Sequence, residues 1–343
     1  MVMSGREIVG IAVQTAIGTP VNPTILVPVI PGTFRAAERN EQILDRGRRG
    51  LDAMDFRALQ GVGISEITWE GEVQQGNATE KAVVGYLIDN LLGASSTSAQ
   101  IDALTNYDHR LILGTTKEYL TIEHDSGGIT GANDRRFSGC RVHEITFRWN
   151  AGEGSLRYRV TLVGREATAV TAQALTDHTG DPWMGWHGQV VFDGNSSFAR
   201  LISGEWTLTR GSPELFYATQ NSQDVADIYL NPLEVTCSLI LDFSIITDLT
   251  AFRSKNQAEL STLFRIGTMD SAAERTFAIG GVNVDLGDGP AELDNSGANV
   301  KLGLTARSLY TTSNGPFSSS SNAATAQNGP VQVQIVQNVS AAY

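Results

Sequence analysis

The feature of this sequence that most constrains its fold is a strand pattern that occurs twice. Residues 64–73 alternate apolar with acidic or polar side chains and lead into a helical pattern over residues 77–92. In the second half, residues 233–243 repeat the alternation and lead into a predicted helix over residues 247–264. Such alternation places one face of a strand against a core. The repeat therefore predicts two copies of one β-rich unit joined in tandem.

The length of 343 residues leaves room for two domains, each with its own core. The predicted fold class is mainly β (α+β), with one flanking helix for each domain. Proline breakers and a small polar segment suggest the boundaries. They divide the chain into an N-terminal arm (1–32), a first β-rich domain (33–170), a linker (171–182) and a second β-rich domain (183–343).

Local signals place the first helix and two long connections. Asn77 and Glu80 match a capping box, apolar residues follow at helical spacing, and Gly93 stands where a helix commonly ends. The polar segment 38–57 predicts a long loop that either contacts a partner or is simply solvated. A long irregular connection is also predicted over residues 211–231.

The strongest hairpin signal lies in the middle of the chain. Residues 140–149 and 156–163 alternate apolar and polar side chains on either side of a glycine-containing turn. Residues 310–329, near the end of the chain, are rich in Ser, Asn, Thr and Ala. That composition predicts either a mobile loop or a loop that a partner orders.

Charge and composition exclude several classes of protein. The formal net charge of −12 argues against a protein that grips nucleic acid, which requires Lys and Arg to neutralise phosphates. The same charge suits a surface past which a polyanion must slide. We expect no signal peptide and no membrane span, since the start lacks the required pattern and no long apolar run occurs.

Signals for catalysis, metals and cofactors are lacking. The five histidines and two cysteines have no metal-ligand spacing, and no nucleotide-binding or nucleophile motif occurs. We expect Cys140 and Cys237 to be buried free thiols. The acidic run 285–294 is either a solvated turn or a weak calcium site that departs from the EF-hand pattern. We therefore expect a protein that is not an enzyme and that needs no cofactor.

Several segments resemble the tail tube proteins of long-tailed (siphovirus-type) phages. Residues 137–149 contain a Gly-x-x-Val strand, and the returning strand ends in Val163-Gly164-Arg165, as in that family. The opening 14–20 and the segment 188–194 are also similar to segments of these proteins. The resemblance is at the level of pattern and extends over most of the chain.

The resemblance implies a fold and an assembly. Members of this family fold as a β-sandwich or split barrel with a flanking helix, and their inner sheets join into a ring-shaped β-barrel. The rings stack into a hollow tube for DNA, with long loops and N-terminal arms between rings. A duplicated chain would form trimeric, pseudo-hexameric rings; hexameric rings are the alternative.

The resemblance also implies partners and a location. A tape measure protein and then DNA would pass through the lumen without specific binding, and tail terminator and tip proteins would join the tube ends. The protein would be located in the virion tail, and in the host cytoplasm during assembly.

Two groups of charged residues are candidates for the functional surfaces. One polar strand face in each half is predicted to line an acidic bore, although the same side chains suit the exterior or a seam between subunits. The candidate lumen residues are Glu66, Glu70, Glu72, Glu234 and Asp242. The candidate contacts between subunits or rings are Arg46, Arg48, Arg49, Arg148, Arg157 and Arg159.

The main rival hypothesis is a monomeric β-sandwich that binds a ligand, such as a carbohydrate-binding or adhesin-like virion protein. Its site would be a cluster of Trp183 and Trp186, because aromatic side chains can stack on a sugar ring. Tryptophans beside the start of a strand are also common in protein cores. Oligomeric state distinguishes the two hypotheses.

Overall fold

The computed structural model describes most of the chain. Residues 46–56, 244–256 and 315–326 are the longest internal stretches outside this description. The described residues are 7–45, 57–76, 80–93, 96–101, 105–125, 134–175, 178–194, 200–217, 225–243, 257–269, 271–286, 292–294, 300–314 and 327–343.

Within these ranges the protein is almost entirely β-structure. The elements of the first half are β1 (Ile8–Gln14), β2 (Ile25–Val27), β3 (Arg35–Asp45), β4 (Arg57–Glu72), α1 (Val83–Leu92), β5 (Ser96–Gln100), β6 (Tyr107–Ile112), β7 (Tyr119–Asp125), β8 (Asp134–Asn150), β9 (Glu153–Arg165) and β10 (Thr168–Val170). After a 3-10 turn (Gly185–His187), the second half contains β11 (Gly188–Phe192), β12 (Arg200–Thr209), β13 (Glu214–Phe216), β14 (Asp227–Tyr229), β15 (Glu234–Phe243), β16 (Gln257–Ile266), β17 (Arg275–Asp285), β18 (Glu292–Asp294), β19 (Val300–Ser308), β20 (Thr311–Asn314), β21 (Gln327–Gly329) and β22 (Gln332–Gln337).

Eight strands form one antiparallel sheet, which we call the first sheet. Its spatial order is β3-β4-β9-β8-β12-β15-β19-β18. The two halves meet where β8 pairs with β12, from Asn150 opposite Ser203 to Glu144 opposite Thr209. We call this pairing the internal joint. Because of it, the polar and apolar faces of the sheet continue from one half into the other.

The remaining long strands form a second layer, again from both halves. One part has the order β2-β1-β7-β8-β10. The other has the order β11-β16-β17-β22-β6-β5, so that β6 of the first half pairs with β22 of the second. Strand β1 belongs to the segment predicted as an N-terminal arm, and it packs within its own chain.

The pairing pattern of the first half recurs in the second half. Apolar residues face each other in both of the corresponding pairs: Ile67 lies opposite Ala36, and Val235 lies opposite Leu208. The corresponding pairs are β1–β7 and β11–β16, β3–β4 and β12–β15, β4–β9 and β15–β19, β7–β8 and β16–β17, β8–β9 and β18–β19, and β8–β10 and β17–β22.

One apolar core lies between the layers and contains residues of both halves. Trp69 and Trp206 are fully buried, and each indole Nε1 donates a hydrogen bond, to Tyr158 Oη at 3.4 Å and to Thr262 Oγ1 at 3.0 Å respectively. These bonds give the buried indole N–H groups the partners they need. The predicted alternation of β4 is confirmed, since Ile67, Trp69 and Val73 are buried.

The first helix is confirmed, but its predicted start is wrong. Helix α1 begins at Val83 with Ala82 at the N-cap position, and residues 80–82 are not helical. Asn77 itself lies outside the described residues. The Ala82 N–H donates to Gln337 Oε1 at 2.9 Å, so a residue of β22 takes the role predicted for the capping box. Gly93 ends the helix with a φ of 100°, as predicted.

The prediction of a second flanking helix is wrong over the part that the structure describes. Residues 257–266 form strand β16, which pairs on both sides, with β11 and β17. Leu260, Leu263 and Phe264 have helical spacing, but the strand is buried on both faces and needs no polar alternation. Residues 247–256 lie outside the described part.

Three predicted loops contain strands. The segment 38–57 is not a loop throughout, because β3 extends to Asp45 and pairs with β4 as far as Arg57. The connection 211–231 contains the β13–β14 hairpin. Residues 310–329 contain the short β20–β21 hairpin, and its central residues 315–326 lie outside the description. Cys140 and Cys237 are buried free thiols, as predicted.

Candidate functional site

The first sheet turns its apolar face to the core and a charged face away from it, which we call the polar face. Directly opposite residues of an antiparallel pair share a face, so the register defines rows across it. One row is Glu70-Arg159-Thr146-Thr207-Thr236-Arg307 and the next is Glu72-Arg157-Arg148-Glu205-Ser238-Thr305. Both rows cross the internal joint, so the polar face is one surface built by both halves.

On the part of this face that the β13–β14 hairpin leaves uncovered, acidic and basic side chains occur in nearly equal number among the described residues. The face is therefore far closer to neutral than the net charge of the whole chain. The acidic members are Glu66, Glu70, Glu72, Glu144, Glu205, Glu234 and Asp242, and the basic members are Arg35, Arg39, Arg148, Arg157, Arg159, Arg200, Lys301 and Arg307. Arg141 and Arg165 also lie on this face, but the β13–β14 hairpin covers them.

The five candidate lumen carboxylates all lie on the polar face, and most have a polar neighbour there. Glu66 pairs with Arg39 at 3.2 Å, and Glu234 pairs with Arg307 at 3.1 Å. Glu72 Oε1 accepts a hydrogen bond from Ser155 Oγ at 2.6 Å. In the strand register, Glu70 lies opposite Arg159 and Asp242 lies opposite Lys301.

Three of the candidate contact arginines lie on the same face as these carboxylates. Arg148, Arg157 and Arg159 are exposed. They line a cleft of about 420 Å³ near the β8–β9 turn, which we call the arginine cleft. The Arg148 guanidinium also pairs with Glu205 across the internal joint at 2.6 Å. The other lining residues are Glu70, Trp149, Asn150, Gly154, Ser155 and Tyr158.

The structure therefore brings together two groups that the sequence had assigned to different surfaces. The remaining candidates, Arg46, Arg48 and Arg49, lie outside the described residues. The two end strands of the first sheet are β3 and β18, and among the described residues each pairs with one strand only. An unpaired strand edge is a ready site for another strand.

A surface that the sequence did not predict is the β13–β14 hairpin, which we call the rim hairpin. It follows β12 at the end of the first sheet opposite the arginine cleft. Arg165 Nε donates to Val225 O at 2.9 Å, and Arg141 Nη1 donates to Ile228 O at 3.1 Å. Val225 and Ile228 are buried against Val163 of β9. The hairpin therefore covers one end of the polar face of the first half.

Asp227 fastens the rim hairpin to the first half. Its carboxylate accepts a hydrogen bond from Tyr119 Oη at 2.6 Å and forms an ion pair with Lys117 Nζ at 2.9 Å. Burial by itself would raise the pKa of Asp227, but the bonds from Tyr119 and Lys117 outweigh it and the pKa is lowered. Burial, together with the bond to Asp227, raises the pKa of Tyr119 to about 12.

The outward face of the rim hairpin is aromatic. Phe216 is 53% exposed and Tyr229 is 47% exposed, and Tyr217 beside them is also exposed. The Lys117 ammonium lies 3.7 Å from the centre of the Tyr229 ring. Glu214 lies opposite Tyr229 and shares this face. The sequence signal for this hairpin was weak, because strands of three residues are too short to show an alternation of polar and apolar side chains.

The tryptophan cluster of the rival hypothesis is not formed. Trp183 is fully buried, with its ring centre 5.9 Å from that of Phe277, whereas Trp186 is 58% exposed. They cannot stack on one sugar ring. No group of three potential metal ligands occurs among the described residues. The predicted calcium alternative at 285–294 lies partly outside the described residues.

Comparison with known proteins shows the family to which the chain belongs. None of the helices in the described ranges is long and apolar enough to cross a membrane. No curated protein matches the chain. The family model described as phage tail tube protein matches residues 6–336, nearly the whole length. The chain therefore belongs to the phage tail tube protein family, as a structural subunit that self-associates into a tube in the virion tail.

Proposed function

We propose that three copies of this chain close into a ring of six similar units, and that the rings stack into the tube of a siphovirus-type tail. The observation that carries this proposal is the internal joint. It joins two halves with matching strand pairing edge to edge, as neighbouring units in a ring must be joined. In this proposal the tandem units are the domains predicted from the sequence, 33–170 and 183–343, with β1 of the predicted arm joining the first unit.

Closure of the ring would use the two end strands of the first sheet. In each chain β3 and β18 stand at opposite ends of eight consecutive strands. A joint from the β18 end of one chain to β3 of the next would remove both edges. Three chains would then supply 24 strands to one barrel, a size that leaves an open channel. Six chains, with one unit of each outside the barrel, are the alternative.

The polar face is the surface that we assign to the bore. Its opposite face forms the core, so only the polar face is available to line a channel. Carboxylates at Glu66, Glu70, Glu72, Glu234 and Asp242 would repel DNA phosphates, and their basic neighbours would limit that repulsion. A nearly balanced lining lets a polyanion pass without a binding site. A tape measure protein would occupy this channel before DNA.

The remaining parts of the proposal concern the ends of the tube and its assembly. Tail terminator and tip proteins would bind the exposed faces of the last rings. Assembly would take place in the host cytoplasm, and the product would conduct the genome from capsid to host. The role is structural and requires no catalytic group or cofactor.

Negative-stain electron microscopy of concentrated purified protein tests this proposal. We expect rings or tubes with a central hole and three-fold symmetry. A matched sample of a variant with Pro at Ala37, on the end strand β3, should lose closed rings, since Pro removes a backbone donor from a sheet edge. Isolated globules from the unmodified chain would contradict self-assembly and favour the monomeric ligand-binding hypothesis.

A further inference from the structure

The rim hairpin and the arginine cleft lie at opposite ends of the same two strands. On β9, Val163 is covered by the rim hairpin, and Arg157 lines the cleft. On β4, Ile64 packs at the hairpin end, and Glu70 lines the cleft. Six residues of strand separate the two ends, about 20 Å. Both features stand on the polar face, so they lie in the same layer of the molecule.

The rim hairpin has the properties of a contact surface rather than of a loose loop. The side chains of Asp227, Tyr119 and Lys117 hold its position, and its inner face is buried. Its outer face nevertheless exposes Phe216 and Tyr229 by about half, and Tyr217 beside them is 40% exposed. Exposed aromatic groups on a fixed scaffold are common at the centres of protein interfaces, because little entropy is lost when they bind.

The arginine cleft offers the complementary chemistry. Guanidinium groups of Arg157 and Arg159 are suited to stack on aromatic rings and to bind a carboxylate. The rim hairpin presents aromatic rings and the carboxylate of Glu214 on one face. Gly185 packs directly against the backbone of Asn150, which lines the cleft. Trp186, the next residue in the chain, is exposed and therefore adds apolar surface beside the cleft.

We propose that the rim hairpin of one copy docks into the arginine cleft of a second copy in the next ring. The partner is thus another molecule of this chain, bound head to tail. Different surfaces at the two ends allow unlimited stacking, because each added copy exposes the same free end again. This inference rests on the proposed function, for which it supplies the contact between rings.

A charge exchange tests the contact. We expect Glu214→Arg and Arg157→Glu each to lower the fraction of protein in tubes by about tenfold or more, because the contact recurs in every chain of a ring. The double variant should restore tubes, since it re-creates the opposite charges. Tyr310→Ser is the matched control: Tyr310 is 60% exposed but lies outside the hairpin, and its loss should leave tubes unchanged.

Three readouts separate the possible results. Thermal unfolding checks that each variant is folded, mass analysis counts chains in a ring, and electron microscopy measures tube length. Intact rings that no longer stack, with rescue in the double variant, support the contact. Normal tubes in both single variants would overturn it and leave the ring proposal standing. An unmodified chain that forms no rings would overturn the proposed function itself.

Discussion

Arg148 and Glu205 belong to different halves of the chain, and the guanidinium Nε lies 2.6 Å from the carboxylate Oε2. Their strands, β8 and β12, form the internal joint. Both side chains are about half exposed, so solvent screens the ion pair. The joint is therefore stabilised chiefly by its backbone ladder and by the core beneath it.

Single substitutions can measure how much the ion pair and the core each contribute to the stability of the internal joint. We expect Arg148→Ala to lower the free energy of unfolding by at most about 1 kcal/mol. Trp206→Ala should lower it by about 3–5 kcal/mol, because it removes a fully buried indole from the joint. Urea unfolding checks both values. Equal effects of the two substitutions would contradict the assignment of the stability to the core.

The C-terminal glycine of α1 provides a second prediction. Gly93 has a φ of 100°, and an added Cβ would lie 2.9 Å from the carbonyl oxygen of Gly114. Gly93→Ala should therefore lower the free energy of unfolding by about 1 kcal/mol or more. Gly303→Ala is the control, since an added Cβ there meets nothing within 4 Å. Thermal melts that shift equally for both variants would refute the prediction.

His109 makes the stability depend on pH. Its ring Nε2 lies 2.6 Å from Val339 O, and burial lowers the pKa from 6.5 to about 4. The unfolded chain therefore binds a proton at a higher pH than the folded chain does. Stability conferred by His109 is complete above pH 6.5 and is lost as the pH falls towards 4, by up to about 3 kcal/mol.

Urea unfolding between pH 7.5 and pH 4.5 tests this dependence. His109→Gln should be less stable at pH 7.5 and should lose less on acidification than the unmodified chain. The slope should not vanish, because burial also lowers the pKa of His124 and of His143. An unchanged slope in the variant would show that His109 does not carry the effect.

The charge balance of the polar face predicts how DNA behaves in the tube. Replacing Glu66, Glu70 and Glu72 with Gln should leave ring closure intact, because these side chains lie outside the core. Arg39, Arg157 and Arg159 would then lack carboxylate neighbours on β4. The variant tube should retain short DNA duplexes in a salt-dependent manner.

Fluorescently labelled duplexes that co-sediment with tubes provide the measurement, and slower genome ejection is expected in a phage carrying the variant. Asp181→Asn, a loss of charge away from the polar face, is the control. If the triple variant formed no rings while the Asp181→Asn control did, these carboxylates would instead lie at a seam between subunits.

The sequence predicted the strands whose two faces differ. In β4, Ile67 and Trp69 alternate with Glu66 and Glu70, so both the strand and its orientation could be inferred. In β16 the sequence was misleading, since Leu260, Leu263 and Phe264 have the spacing of a helix. Spacing cannot distinguish a helix from a strand that is buried on both faces.

The candidate site could be predicted only in part. The acidic positions of β4 and the arginines of β9 were identifiable as polar. That Glu70 and Arg159 share one face depends on the pairing of β4 with β9, which one sequence does not specify. The rim hairpin was missed because its strands, Glu214–Phe216 and Asp227–Tyr229, are too short to show an alternation. Tertiary contacts, not local pattern, determine its place.

The most direct test of the account is native mass spectrometry of purified rings. The duplicated pairing pattern and the internal joint predict three chains in each ring. A ring of three chains would support two equivalent units in every chain, both contributing strands to the barrel. A ring of six chains, or a protein that stays monomeric at high concentration, would contradict that central claim.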